Sequence, residues 1–148
     1  MSRAAGKRFA LVSARFYPEL ADWLEEGARR ALQSCGIGDA DIKLCYVPGC
    51  FELPLAASQL IATKAFDALV ALGAVIRGQT PHFDFVAGQC ARGIMDVQLA
   101  SGVPIGFGVL TTETLAQAQE RADPKRGDKG RAAALAAIAL LSVGPGAA

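Results

Sequence analysis

The residues able to do chemistry are few, and the sharpest group is one short stretch, Gln79-Thr80-Pro81-His82. His82 is the only histidine in the chain. An imidazole with an ordinary pKa of about 6.5 can both take and give a proton near neutrality. Thr80 and the backbone N–H groups of a helix starting here could hold an oxyanion. The plainer reading is that His82 caps that helix or fills a surface loop, which is the commoner fate of an isolated histidine.

Other groups widen the choice. Phe16 offers a flat face that can stack on a planar heterocycle, or it packs beneath its own loop. Glu52 opens a helix, where the dipole favours a carboxylate in any case, or it accepts hydrogen bonds from a polar ligand. Arg121 and the Lys125–Lys129 loop place basic groups around a glycine beside a helix start, which suits a phosphate, although charge runs are usually solvated. A stacking ring, polar contacts, a proton-transfer group and an anion clamp together point to a heterocycle and a phosphorylated small molecule. No Ser or Cys nucleophile paired with a histidine base is evident.

These residues need elements to hold them. The stretch Gly73–Gly88 (GAVIRGQTPHFDFVAG) begins as the end of an apolar run, Ala68–Ile76, which suits a strand buried on both faces of a parallel sheet. Pro81 fixes its own φ and pushes Thr80 towards extended geometry, and from Phe83 the period turns helical up to Gly102. Open α/β sheets build sites in this way, at the carboxyl ends of their strands.

The same alternation runs through the chain. Phe9–Ser13 reads as a first strand. Pro18 opens a helix on which Leu20, Leu24, Ala28, Ala31 and Leu32 form an apolar stripe, with Glu25, Glu26, Arg29 and Arg30 outside it. Ile42–Val47 is a second strand, turned by Pro48-Gly49 into a helix reaching about Thr63. Val103–Leu110 is a fourth strand, and Pro104 near its start suggests an edge or strand-entry position. Thr111–Thr114 offers caps for a short helix to about Ala122. After the polar loop Asp123–Gly130, the Ala-rich segment Arg131–Leu141 is a last helix, apolar nearly all round. Alternating strands and helices predict an α/β fold: a three-layer α/β/α sandwich around a four-stranded, mainly parallel sheet in flavodoxin-like order. We expect one domain over residues 1–148, with a flexible start at 1–7 and a loose tail at 142–148.

Composition narrows the partners. Fifteen Lys+Arg against fourteen Asp+Glu leave a formal net charge of +1, which argues against a general nucleic-acid or membrane binder. Hydrophobic residues make up 52% and charged residues 20%, so a chain this apolar is expected to bury part of its surface in an oligomer. Cys35, Cys45, Cys50 and Cys90 form no C-x-x-C pair, and with one histidine no metal-ligand set is apparent. Their settings are mostly apolar, so they read as buried free thiols in a reducing compartment, and with no signal-peptide core near the start we expect a cytoplasmic protein. Neither G-x-G-x-x-G after the first strand nor G-x-x-x-x-G-K-[ST] occurs, which lowers the odds of a dinucleotide or nucleoside-triphosphate site.

In order, the chain carries R-F after the first strand, P-G-C-F-E-L-P after the second, G-A-V-I-R-G-Q-T-P-H-F-D-F-V through the third, F-G-V-L-T-T in the fourth, and E-R-A then G-D-K-G before the last helix. This combination closely resembles the lumazine synthase (6,7-dimethyl-8-ribityllumazine synthase) family over about Arg8 to Leu141. The resemblance implies the penultimate step of riboflavin synthesis. There, 5-amino-6-(D-ribitylamino)uracil condenses with 3,4-dihydroxy-2-butanone 4-phosphate to 6,7-dimethyl-8-ribityllumazine, with loss of phosphate and without metal or organic cofactor.

By position, the resemblance makes His82 the proton donor and acceptor. It sets Phe16, Cys50, Phe51, Glu52, Ala74, Val75, Ile76 and Phe107 around the ribitylaminouracil, with Phe107 reaching in from a neighbouring subunit. Gln79, Thr80, Arg121 and Lys129 fall to the butanone phosphate. It further implies a homopentamer, with twelve pentamers closing into a shell in some members, and riboflavin synthase as a partner. A non-catalytic flavin- or lumazine-binding or shell-forming member of the same fold is the alternative. Four features depart from the family's usual pattern. Tyr17-Pro18 follows Phe16 where Asn is more often found, Gln79 stands where an acidic residue is common, Cys50 where Ala is common, and Asp123 and Asp128 where Gly and Asn are frequent. The two added carboxylates could weaken phosphate affinity, and the Tyr-Pro turn could shift Phe16.

Overall fold

Strand β1 (Phe9–Ala14) is buried along its whole length, and its alternation sets the layers. Phe9 and Leu11 join one apolar cluster, while Ala10, Val12 and Ala14 join another on the opposite face. A strand covered on both sides is the signature of a parallel sheet with helices above and below. The computed structural model, which describes residues 4–144, has that form. β2 (Ile42–Val47) and β3 (Ala68–Ile76) flank β1, and β4 (Ile105–Thr112) lies outside β3. The order is β2-β1-β3-β4 and every pair is parallel. Helices α1 (Pro18–Ser34), α4 (Leu115–Ala122) and α5 (Lys129–Leu141) cover one face; α2 (Leu53–Ala62) and α3 (His82–Ser101) cover the other. The expected three-layer α/β sandwich with flavodoxin-like order is therefore the observed fold.

Local chemistry accounts for the boundaries. Pro18 occupies the start of α1, and Thr114 caps α4 in a capping box: its Oγ1 accepts from the Gln117 N–H at 3.1 Å. β4 begins at Ile105, two residues later than expected, and runs on to Thr112. Pro104 has no N–H to donate, so it enters the ladder only as an acceptor from Leu69 N–H at 2.9 Å. α5 begins at Lys129 rather than Arg131, so Lys129 and Gly130 belong to the helix and not to the preceding loop. Two close approaches explain the small residues there. A Cβ on Gly130 would collide with the Leu24 backbone of α1, and one on Gly106 of β4 would collide with the Ala133 carbonyl of α5. The alanines and glycines let α5 lie directly on both neighbours, which gives an almost uniformly apolar helix its place.

One expectation fails inside α1. Glu25, which the helical stripe leaves outside, is only 9% exposed. Its carboxylate accepts from the hydroxyl of Ser13 on β1 at 2.5 Å and from Arg15 Nη1 at 2.8 Å. A charge at the edge of the stripe is buried because the sheet supplies a donor opposite it. At the chain start, Ala4 is buried within the α1-side cluster. Residues 1–3, and 145–148 of the expected tail, lie outside the described residues.

Candidate functional site

The sheet order reverses direction between β1 and β3, and a cleft opens there at the carboxyl ends of the strands. The two ladders of β3 show how. Its pairing with β1 ends at Ser13 opposite Leu72, whereas its pairing with β4 continues to Ile76 opposite Thr112. Residues 73–76 therefore reach past β1 and leave one backbone edge unpaired by any strand. Gly73 is needed at the point of divergence: a Cβ there would stand 2.7 Å from Cys50 Sγ and 2.9 Å from Ala14 Cβ.

The cleft encloses about 700 Å³. Its walls are Phe16 and Tyr17 after β1, Pro48–Glu52 after β2, Ala74–Ile76 of β3, and His82, Phe85 and Val86 of α3. Phe16 is 71% exposed and Phe51 59% exposed, so neither ring packs beneath its loop. Phe16 touches the edge of the Tyr17 ring, with centroids 5.0 Å apart. The residue before it is anchored. Arg15 donates its backbone N–H to Val47 O at 3.0 Å, and its guanidinium bonds Glu25 and Asp22, both at 2.8 Å, while lying over the Tyr46 ring. A ring held out by an anchored neighbour offers a face for stacking.

One carboxyl and one imidazole line this largely apolar space: Glu52, at the N-cap position of α2, and His82, in the first turn of α3. Both are exposed. The His82 N–H donates to Thr80 Oγ1 at 3.4 Å, a long bond that ties the helix start to the loop before it. Gln79 and Thr80 are exposed on that loop and do not line the cleft. Cys50 is 5% exposed, and its thiol is pushed well above the usual range, first by the thiol of Cys90 beside it and then by burial. It packs the floor of the cleft and is no nucleophile.

Phe107, Arg121 and Lys129 are elsewhere. They line a second hollow of about 520 Å³ with Gly108–Thr111 and three alanines of α5. This hollow runs along β4, whose outer edge pairs with no strand among the described residues. Eight of the residues singled out in the sequence thus share one cleft, and three share a hollow apart from it. Tyr17, Pro48, Gly49, Phe85 and Val86 were missed as lining residues. His82, Phe85 and Val86 stand at i, i+3 and i+4, so helical spacing from the histidine would have found the last two. Among the described residues no group of three or more His, Cys, Asp or Glu side chains could hold a metal ion, and no helix is long and apolar enough to cross a membrane.

An open parallel sheet with a mixed apolar and ionisable cleft at its switch point defines a small-molecule-binding α/β protein. Sequence comparison carries this to a family. The family model of 6,7-dimethyl-8-ribityllumazine synthase matches residues 6–144. A protein of that name from Desulfotalea psychrophila (strain LSv54 / DSM 12343) is 48% identical over 141 residues, covering 95% of this chain and 91% of that protein. Another of the same name, from Desulfatibacillum aliphaticivorans, is 46% identical over 140 residues, covering 95% of this chain and 90% of that protein. The chain belongs to the 6,7-dimethyl-8-ribityllumazine synthase family.

Proposed function

We propose that this protein condenses 5-amino-6-(D-ribitylamino)uracil with 3,4-dihydroxy-2-butanone 4-phosphate to give 6,7-dimethyl-8-ribityllumazine. The observation that carries the site assignment is the cleft itself, where a projecting aromatic ring, a carboxylate and the only imidazole meet over an unpaired strand edge. Phe16 stacks on the pyrimidine, Glu52 takes hydrogen bonds from the ribityl chain, and the 74–76 backbone reads the ring edge. The ring amine attacks the ketone and water leaves to form an imine. Loss of the C3 proton and of phosphate from C4 then leaves an enol, which takes a proton at C4 to become a new ketone, and attack of the ribitylamino nitrogen on that carbonyl closes the ring with loss of a second water. Each step moves protons, which is work for His82, and holding two substrates together lowers the entropic barrier.

The anion clamp comes from a second copy. Phe107, Arg121 and Lys129 of one protomer close over the His82 cleft of the next, with Gln79 and Thr80 contributing from the cleft side. Support for this reading is the separation of the two hollows within one chain, and the exposure of Phe85, Leu99 and Phe107. The same reading includes a homopentamer in the cytoplasm, with riboflavin synthase as the next enzyme and partner.

Incubating the purified protein with both substrates tests the proposal. Lumazine fluorescence and free phosphate should rise together, and a mass measurement in solution should return a multiple of five chains. Binding of the ribitylaminouracil without turnover would favour a non-catalytic member of the fold.

A further inference from the structure

The loop that delivers His82 has little holding it. Residues 77–82 are exposed, and no atom lies within 4 Å of where a Cβ on Gly78 would stand. The bond from the His82 N–H to Thr80 is long, at 3.4 Å. A general acid–base that works by position needs more support than this.

Arg77 supplies it. Its backbone N–H donates to Thr112 O at 2.9 Å, extending the β3–β4 ladder by one bond. Its Nε donates to Glu113 Oε2 at 2.6 Å, in the turn between β4 and α4. Its Nη2 lies 3.4 Å from Asp84 Oδ1, and its guanidinium carbon sits 4.4 Å from the centre of the Phe83 ring. Asp84 and Phe83 are the two residues directly after His82. Glu113 is itself held, because its N–H donates to Gln117 Oε1 at 2.9 Å within the α4 capping box. A continuous set of contacts thus runs from the α4 cap through Glu113 and Arg77 to the first turn of α3.

We propose that Arg77 is a positioning residue: gripping Glu113, Asp84 and Phe83 at once, it fixes the first turn of α3 and so the place of His82 over the cleft. This rests on His82 being the proton-transfer group. Arg77 itself is absent from the cleft wall. Its ion pairs are exposed, so they add little to global stability. What they restrict is one loop and one helix start. A lysine carries the charge but has no planar fork to bond two carboxylates and no flat face for Phe83.

The experiment is a double-mutant cycle on the full-length enzyme with both substrates. Arg77→Ala and Arg77→Lys should each lower kcat roughly ten- to a hundredfold, the range expected from a small misplacement, with KM for either substrate within about twofold. Melting temperature should change little. Glu113→Gln, which keeps volume and loses the charge-assisted bond, should give a smaller loss of the same kind. In a His82→Ala background, Arg77→Ala should cost less than about twofold more, because two residues acting through one step are not additive. Losses that multiply, full activity of both Arg77 variants, or an effect on KM alone would overturn the positioning role while leaving His82 in place. Full activity of His82→Ala would instead remove the assignment of His82 and the present proposal with it. Should Arg77→Ala fail to fold, Arg77→Lys and Glu113→Gln complete the same cycle.

Discussion

The buried contact between Ser13 and Glu25 makes a quantitative test of how the cleft is supported. Ser13 is fully buried on β1 and Glu25 nearly so on α1, and the hydroxyl-to-carboxylate distance is 2.5 Å. Short bonds to an ionised acceptor are the strong class, contributing about 1.5–3 kcal/mol each. Ser13→Ala removes the donor and leaves Glu25 with Arg15 alone, at 2.8 Å. We expect a loss of about 2 kcal/mol, which in a chain of this size lowers the melting temperature by roughly 4–8 °C. Calorimetry at fixed protomer concentration measures it, which removes any concentration dependence that assembly would bring. A second effect should accompany the first. Glu25 also bonds Arg15, whose neighbour Phe16 borders the cleft, so KM for the ribitylaminouracil should rise more than KM for the phosphorylated substrate. A melting point unchanged within 1 °C, or about 0.5 kcal/mol, would refute the argument, because a buried charged bond cannot be lost without cost.

Arg121→Ala should raise KM for the phosphorylated substrate at least about tenfold with a smaller fall in kcat, measured by initial rates, as expected when a charge-assisted anion contact is removed. Gly106→Ala should cost about 3 kcal/mol in denaturant unfolding or abolish soluble expression, because the new methyl meets the Ala133 carbonyl and neither backbone can yield. Cys50→Ala should retain kcat, and iodoacetamide at about pH 8 should label Cys35 and Cys45 ahead of Cys50 by mass spectrometry, since the Cys50 thiol is buried and held protonated.

Much of this architecture is written locally. The run Ala68–Ile76 is a strand from end to end, as its apolar residues require, and Ile42–Val47 matches its residue range. The short apolar run of β1 and the proline and capping signals at Pro18 and Thr114 each act over a few residues, so a linear reading recovers them. The misses have a different origin. Glu25 looks solvent-facing on the helical stripe, and only Ser13, twelve residues earlier, makes its burial tolerable. Lys129 reads as loop because nothing adjacent announces that Gly130 will rest on Leu24. For the site, residue types and their loops are legible, and eight positions do converge on one cleft. The grouping of Phe107 with Arg121 and Lys129 along β4 is a product of strand order, which no local pattern states. Arg77 and Glu113 escape for the same reason: they are thirty-six positions apart and meet only because β3 and β4 run side by side.

The overhang of β3 beyond β1 bears on how this protein can vary. Ala74 and Val75 turn their side chains into opposite cores, so what the overhanging stretch presents to the cleft is largely peptide. Hydrogen-bonding groups of the main chain survive almost any exchange of side chain. A cleft wall built from them resists mutational drift, leaving the surrounding loops free to diverge.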